Sequence, residues 1–229
     1  YSYTINPAEV KAVTYSGSDS KTYDGKPAEF NVQSVKWTGL TGLNTSTLTA
    51  DDFDWSTADK QAPSAAGTYT LSLNEKGEAA LRAANKNYNI QEISGSYSYT
   101  INPAEVKAVT YSGSGSKTYD GKPAEFNVQS VKWTGLTGLN TSTLTADDFD
   151  WSTADKQAPS AAGTYTLSLN EKGEAALRAA NKNYNIQEIS GSYSYTINPA
   201  EVKAVTYSGS DSKTYDGKPA EFNVQSVKW

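Results

Sequence analysis

The chain repeats itself with a period of 96 residues, and no other feature constrains its fold as much. The decamer YSYTINPAEV stands at Tyr1–Val10, at Tyr97–Val106 and at Tyr193–Val202. Residues 1–96 match 97–192 at every position but one, where Asp19 becomes Gly115, and residues 193–229 match 1–37 throughout. Such self-similarity marks a tandem array, so any function must be one that an array can perform. A unit of this length can bury a modest core and fold alone. The 229 residues hold two full periods and 37 residues more. A chain that begins and ends inside a repeat reads as a piece of a longer array.

Composition narrows the chemistry. There is no Cys, Met or His. Disulfides and thiolate chemistry are therefore excluded, and the usual transition-metal ligands and the commonest general base are missing. The net charge of −5 disfavours nucleic acid and anionic membrane surfaces as partners. No apolar run has the length of a membrane span, and no signal peptide is present. No cofactor is implied.

Within one period the hydrophobic pattern is mostly that of short strands. Tyr1, Tyr3 and Ile5 alternate with polar residues, and Val10–Tyr15 follows after Asn6-Pro7. Ser16–Ser20 (SGSDS, or SGSGS at Ser112–Ser116) reads as a polar loop or linker. Asp24-Gly25 is the dipeptide favoured in type I′ hairpin turns. Phe30 and Val32 share one parity and Val35 and Trp37 the other, which predicts a bulge near Gln33-Ser34. Thr38–Ala50 is loop-like. Phe53 and Trp55 alternate, and Tyr69, Leu71 and Leu73 form the cleanest strand. One helix is predicted over Glu75–Ala84: Asn74 caps it, Glu75 and Glu78 occupy the first turn, and Asn85 suits a left-handed close. Tyr88 and Ile90 return to strand alternation. The pattern predicts a mainly β repeat, best matched by an immunoglobulin-like sandwich with one short helix, with a β-grasp fold as the alternative.

Circular permutation leaves the boundary open. A cut after the YSYTINPA strand makes residues 1–7 the last strand of a preceding repeat. Residues 8–104 and 105–200 are then complete domains, and 201–229 the start of a truncated third. Pro103-Ala104-Glu105 would be a short, stiff junction. The serine-glycine loop, or a cut after Trp37 and Trp133, would serve as well.

KTYDGKPAEF, AGTYTLSLNEKGEAALRAANKNYNI and GSYSYTINPA, in this order, resemble the MBG-type repeat of Gram-positive cell-surface adhesins, which include cell- and mucus-binding protein repeats. The resemblance spans the whole period, and its most specific stretch is Gly67–Ile90 and its copy Gly163–Ile186. It implies an extracellular, wall-anchored protein whose repeats bind mucin or host-surface glycans and glycoproteins, or else form a stalk for a distal adhesive domain. A monomeric array without membrane insertion is expected. The family brings no catalytic residues.

The residues themselves offer few sites. Trp37 and Tyr23, with their copies Trp133 and Tyr119, are the candidate sugar-stacking aromatics. Trp37 borders a loop, and Tyr23 flanks the Asp24-Gly25 turn. Trp55, paired with Phe53, reads as core. Asp51, Asp52 and Asp54 cluster in DDFDWS but lack calcium-loop spacing and read as a solvated strand face. Lys11 and Asn102 could form an amide crosslink only if buried together; the plainer reading is an exposed lysine. No acid, base and nucleophile combine into an enzymatic constellation.

Overall fold

The computed structural model describes residues 1–229. The first repeat contains β1 (Ala8–Ser16), β2 (Ser18–Thr22), β3 (Lys36–Thr38), β4 (Phe53–Trp55), β5 (Gly67–Leu73), α1 (Glu75–Ala84), β6 (Tyr88–Gly95) and β7 (Tyr97–Asn102). The second contains β8 (Ala104–Thr118), β9 (Lys132–Thr134), β10 (Phe149–Trp151), β11 (Gly163–Leu169), α2 (Glu171–Ala180) and β12 (Tyr184–Asn198). The fold is mainly β, with one ten-residue helix per repeat at the predicted position.

The first and last strands of each repeat lie side by side and parallel. In the first repeat β1 pairs with β6 from Ala8↔Tyr88 to Tyr15↔Gly95, and β2 continues alongside β7 from Ser18↔Ser98 to Thr22↔Asn102. In the second repeat the same pairing is unbroken between β8 and β12. On its other side β7 pairs antiparallel with β5, and β5 with β4, in the order β2-β7-β5-β4, while β3 pairs antiparallel with β1 in the order β3-β1-β6. The sheets are thus mixed. They form a sandwich-like repeat, but not the all-antiparallel pair of an immunoglobulin-like domain, which is a correction to that part of the expectation.

The strand pair bends where β1 gives way to β2. Gly95 (φ +145°) lies so close to β1 that a Cβ there would sit 2.0 Å from the Tyr15 carbonyl oxygen, and Gly191 repeats this against Tyr111. Only glycine fits such an approach. The bend lets the first half-sheet face the second. Tyr15 spans the gap: its ring meets Phe53 edge-on, and its hydroxyl accepts the Leu73 N–H at 2.9 Å. Tyr15, Phe53, Trp55, Leu71, Leu81, Tyr97, Tyr99 and Ile101 are all buried in this core. Trp55 is therefore core, as its pairing with Phe53 implied.

The helix closes the core from the side. The Asn74 side chain accepts the Gly77 N–H at 2.9 Å, as a cap should. Gly77 sits against the Ala50–Asp52 turn, where a Cβ would lie 2.5 Å from the Asp52 carbonyl oxygen. Asn85 does not take a left-handed close (φ −126°). Its side chain is buried instead. Its amide donates to Leu81 O and Asn44 O, and its oxygen accepts the Asn44 N–H. The helix end and the Leu40–Ala50 loop are thereby tied together.

Four further readings are corrected. SGSDS is not a linker: Ser18–Thr22 is an edge strand, and its copy lies inside the continuous β8. Asp24-Gly25 bends the chain, with Gly25 at φ +78°, but joins no hairpin. Near Gln33-Ser34 there is a one-turn 3-10 helix, Val32–Ser34, capped by Asn31, in place of a bulge. Residues 1–7 form no strand and are exposed, because the strands that flank their copies are missing beside them. Residues 201–229 hold only a single bridge, Ser208↔Lys228, and one 3-10 turn.

The repeats meet through a continuous run of chain. β7 ends at Asn102, Pro103 intervenes, and β8 starts at Ala104. Tyr23 N–H donates to Asn102 O at 2.7 Å, and Ala104 N–H donates to Asn183 O at 2.9 Å, so backbone pairing reaches both sides of the proline. Across the junction Ala66 N–H donates to the Asn183 side-chain oxygen at 2.9 Å. The Tyr23 and Tyr184 rings meet edge-on at 5.4 Å.

Two outcomes are expected. Tyr111→Phe leaves the buried Leu169 N–H without its acceptor, at a cost of about 1–3 kcal/mol. Calorimetry should find one of two repeats melting earlier, by about 4–8 °C for each kcal/mol lost. Tyr23→Ser with Asn183→Ala should loosen the junction without unfolding either repeat, since Tyr119 is exposed in a folded repeat. Small-angle scattering should then find a broader distance distribution at unchanged melting; an unchanged distribution would contradict the role given to these contacts.

Candidate functional site

A surface groove recurs in both repeats, between the one-turn 3-10 helix and the loop that Asn85 or Asn181 pins. In the second repeat it is a groove of about 270 Å³ lined by Val128, Gln129, Val131, Trp133, Thr141, Ser142 and Leu144. In the first, an equivalent groove of about 390 Å³ is lined by Val32, Gln33, Leu43, Asn44, Thr45, Ser46 and Leu48. Hydroxyls and amides therefore rim an apolar floor. Trp37 and Trp133 are half-buried and lean on Tyr15 and Tyr111, with ring centroids 5.2 Å apart.

The groove's wall is held from behind. Asn181 accepts the Asn140 N–H at 2.8 Å and donates to Asn140 O at 2.9 Å. Asn140 in turn accepts the Ser142 N–H and hydroxyl. A buried side chain on the helix end thus sets the position of a rim hydroxyl. From sequence Asn85 reads only as a helix-closing residue, and the signal for more is weak: an Asn after an alanine-rich helix commonly closes it through its backbone.

Tyr23 and Tyr119 lie elsewhere, at the ends of β2 and β8. Tyr23 is covered by Tyr184 of the next repeat, while Tyr119 is 46 % exposed. The structure does not bring Tyr23 together with Trp37. Tyr88, at the other end of the first repeat, is 38 % exposed, whereas its copy Tyr184 is covered by Tyr23.

The acidic cluster is engaged internally. Asp52 is buried, not on a solvated face; its carboxylate accepts the Thr49 N–H at 2.7 Å and closes the Ala50–Asp52 turn. Asp54 accepts from the Asn74 amide at 3.0 Å and pairs with Lys60 at 3.0 Å. The Asn74 hydrogen bond and then Lys60 hold the Asp54 carboxyl below the ordinary aspartate range. Glu9 is lowered by the side-chain amides of Asn89 and then Gln91, and Glu105 by those of Asn185 and Gln187. Lys11 and Asn102 are both exposed, so the buried pair that an amide crosslink needs is not formed.

The geometry defines a class: tandem mixed-sheet β repeats, joined strand to strand, with a shallow groove on each. The MBG domain family matches residues 10–103 and 106–199, and the chain belongs to that family. A solved structure described as a cell surface adhesin from Lactobacillus reuteri is 67 % identical, over 42 % of this chain and 99 % of that one, with a TM-score of 0.41. Among curated proteins none matches.

Acid should destabilise the fold. A carboxyl held below its ordinary pKa by native partners stabilises the native state while charged, and that contribution is lost as pH falls through and below the ordinary range. Asp54, Glu9 and their copies all act in this direction. With no His to titrate, melting should be flat between about pH 5 and pH 8 and fall below about pH 4. A midpoint that rises on acidification would contradict these assignments.

Proposed function

We propose that the chain is a repeat region of a bacterial surface adhesin, extracellular and attached to the cell wall, which holds mucin or other host-surface glycans through many weak contacts. The observation that carries this reading is the duplicated groove. Sugars bind through an apolar face and a rim of hydroxyl contacts; each groove offers an apolar floor with Ser, Thr, Gln or Asn at the rim, and Trp133 lines the groove of the second repeat. Trp37 and Trp133 are the proposed stacking residues. Tyr119 is an additional open aromatic, and Tyr23 belongs to the same proposed set only where no neighbouring repeat covers it. The adhesin relative and the family membership support the setting. Domain boundaries at 8–104 and 105–200 suit it, since each unit then carries one whole groove. No catalytic role is proposed for any residue.

A small groove binds weakly, so the repetition supplies the strength. Once one repeat is bound, the second contact is intramolecular, and apparent affinity rises by roughly 10²-fold where spacing allows. A second reading is a stalk that only sets the distance of another adhesive domain. It is favoured by the direct strand-to-strand junction at Pro103.

The two readings separate on immobilised mucin. The intact chain should be retained, and Trp133→Leu alone should weaken retention by roughly 10²-fold, because the surviving groove acts as a single site. Trp37→Leu together with Trp133→Leu should abolish it while circular dichroism still finds both repeats folded, although somewhat less stable because each tryptophan leans on a core tyrosine. No retention of the intact chain would leave the stalk.

A further inference from the structure

We infer that each repeat is a load-bearing module, whose first and last strands form a clamp that resists tension applied along the chain. The inference does not rest on glycan binding; it follows from where the chain enters and leaves each repeat.

In the second repeat the chain enters at Ala104, at the start of β8, and leaves at Asn198, at the end of β12. These strands are parallel, and their register runs from Ala104↔Tyr184 to Thr118↔Asn198. Entry and exit therefore lie at opposite ends of one hydrogen-bonded pair. Tension on the chain pulls the two strands past each other along their length. In that geometry all the ladder bonds of the pair are loaded at once and must fail together. Had the two strands been antiparallel, entry and exit would lie at the same end, and tension would peel the pair one bond at a time.

The surroundings match this use. The clamp strands supply much of the buried core, including Val109, Ile186, Tyr193 and Ile197, so sliding would also drag these side chains out of their packing. Tyr193 is held besides by a hydrogen bond between its hydroxyl and that of Ser130 at 2.7 Å. The first repeat has the same arrangement, with β1 and β2 against β6 and β7. Force is handed over directly, because β7 continues into β8 across Pro103. The chain lacks cysteine, and Lys11 and Asn102 are not placed for an amide crosslink, so this pairing is the element left to carry tension.

Pulling direction decides the matter, and the absence of cysteine lets thiol handles be placed at will. In the full chain, Lys107→Cys with Asn198→Cys loads the β8–β12 pair in shear. Lys107→Cys with Glu188→Cys holds it at one end and peels it. All three side chains are exposed, and both variants should melt like the parent. In single-molecule force measurements the shear pair should unfold at a force several-fold above the peeling pair. The shear event should be one step that lengthens the chain by roughly 300 Å, the reach of the released residues less the folded strand length. Equal forces in the two geometries, or a gradual low-force extension in shear, would overturn the inference.

Discussion

The parallel pairing of the first and last strands is the constraint on which the rest of the repeat depends. Parallel strands cannot be joined by a tight turn, so everything between them must serve as one long crossover. β3, β4, β5 and the helix all lie within that crossover. The pairing also sets the termini at opposite ends, which makes a linear array possible without any linker. An antiparallel closing pair would have returned the chain to its starting end, and successive repeats would have needed to turn back around one another.

The bend at Gly95 converts this long pair into a sandwich. Tyr15 then reaches across to Leu73 and gives the buried backbone N–H an acceptor that no strand provides. A buried donor without a partner is costly, so the hydroxyl is worth more here than the same ring without it. Asn85 solves a comparable problem at the helix end, where three hydrogen bonds of one amide join the helix to the loop that walls the groove. The proposed site is therefore built on core chemistry and not on the loop alone.

What could be read from the sequence was whatever local pattern dictates. The helix over Glu75–Ala84 has its cap, its acidic first turn and its alanine run in order, and its structure follows them. Tyr69–Leu73 and Phe53–Trp55 alternate and are strands. The strand misreadings share one cause: long-range pairing, present or missing, overrode local composition. Ser18–Thr22 has no apolar alternation because it is an edge strand with mostly exposed side chains, held by its backbone to β7. Tyr1–Ile5 has perfect alternation and forms no strand, since its neighbours are missing. Asp52 looked solvated because it flanks Phe53, yet it turns inward to bond Thr49. Trp37 and Trp133 fall on a loop border and are half-buried there against Tyr15 and Tyr111, and Trp133 lines the groove of its repeat.

The two repeats also separate sequence from context. Tyr23 and Tyr119 occupy equivalent positions in identical local sequence, yet one is covered and the other is 46 % exposed. Tyr88 and Tyr184 differ in the same way. Nothing within a repeat causes this; the neighbour does. An aromatic ring that a single repeat presents to solvent is, inside an array, part of the seam between units. The half-buried tryptophans do not change in this manner, because each packs on a tyrosine of its own repeat. A surface that is to act once per unit must be independent of position in the array. Of the candidate aromatics, Trp37 and Trp133 meet that requirement, and Tyr23 and Tyr119 are set by the junction.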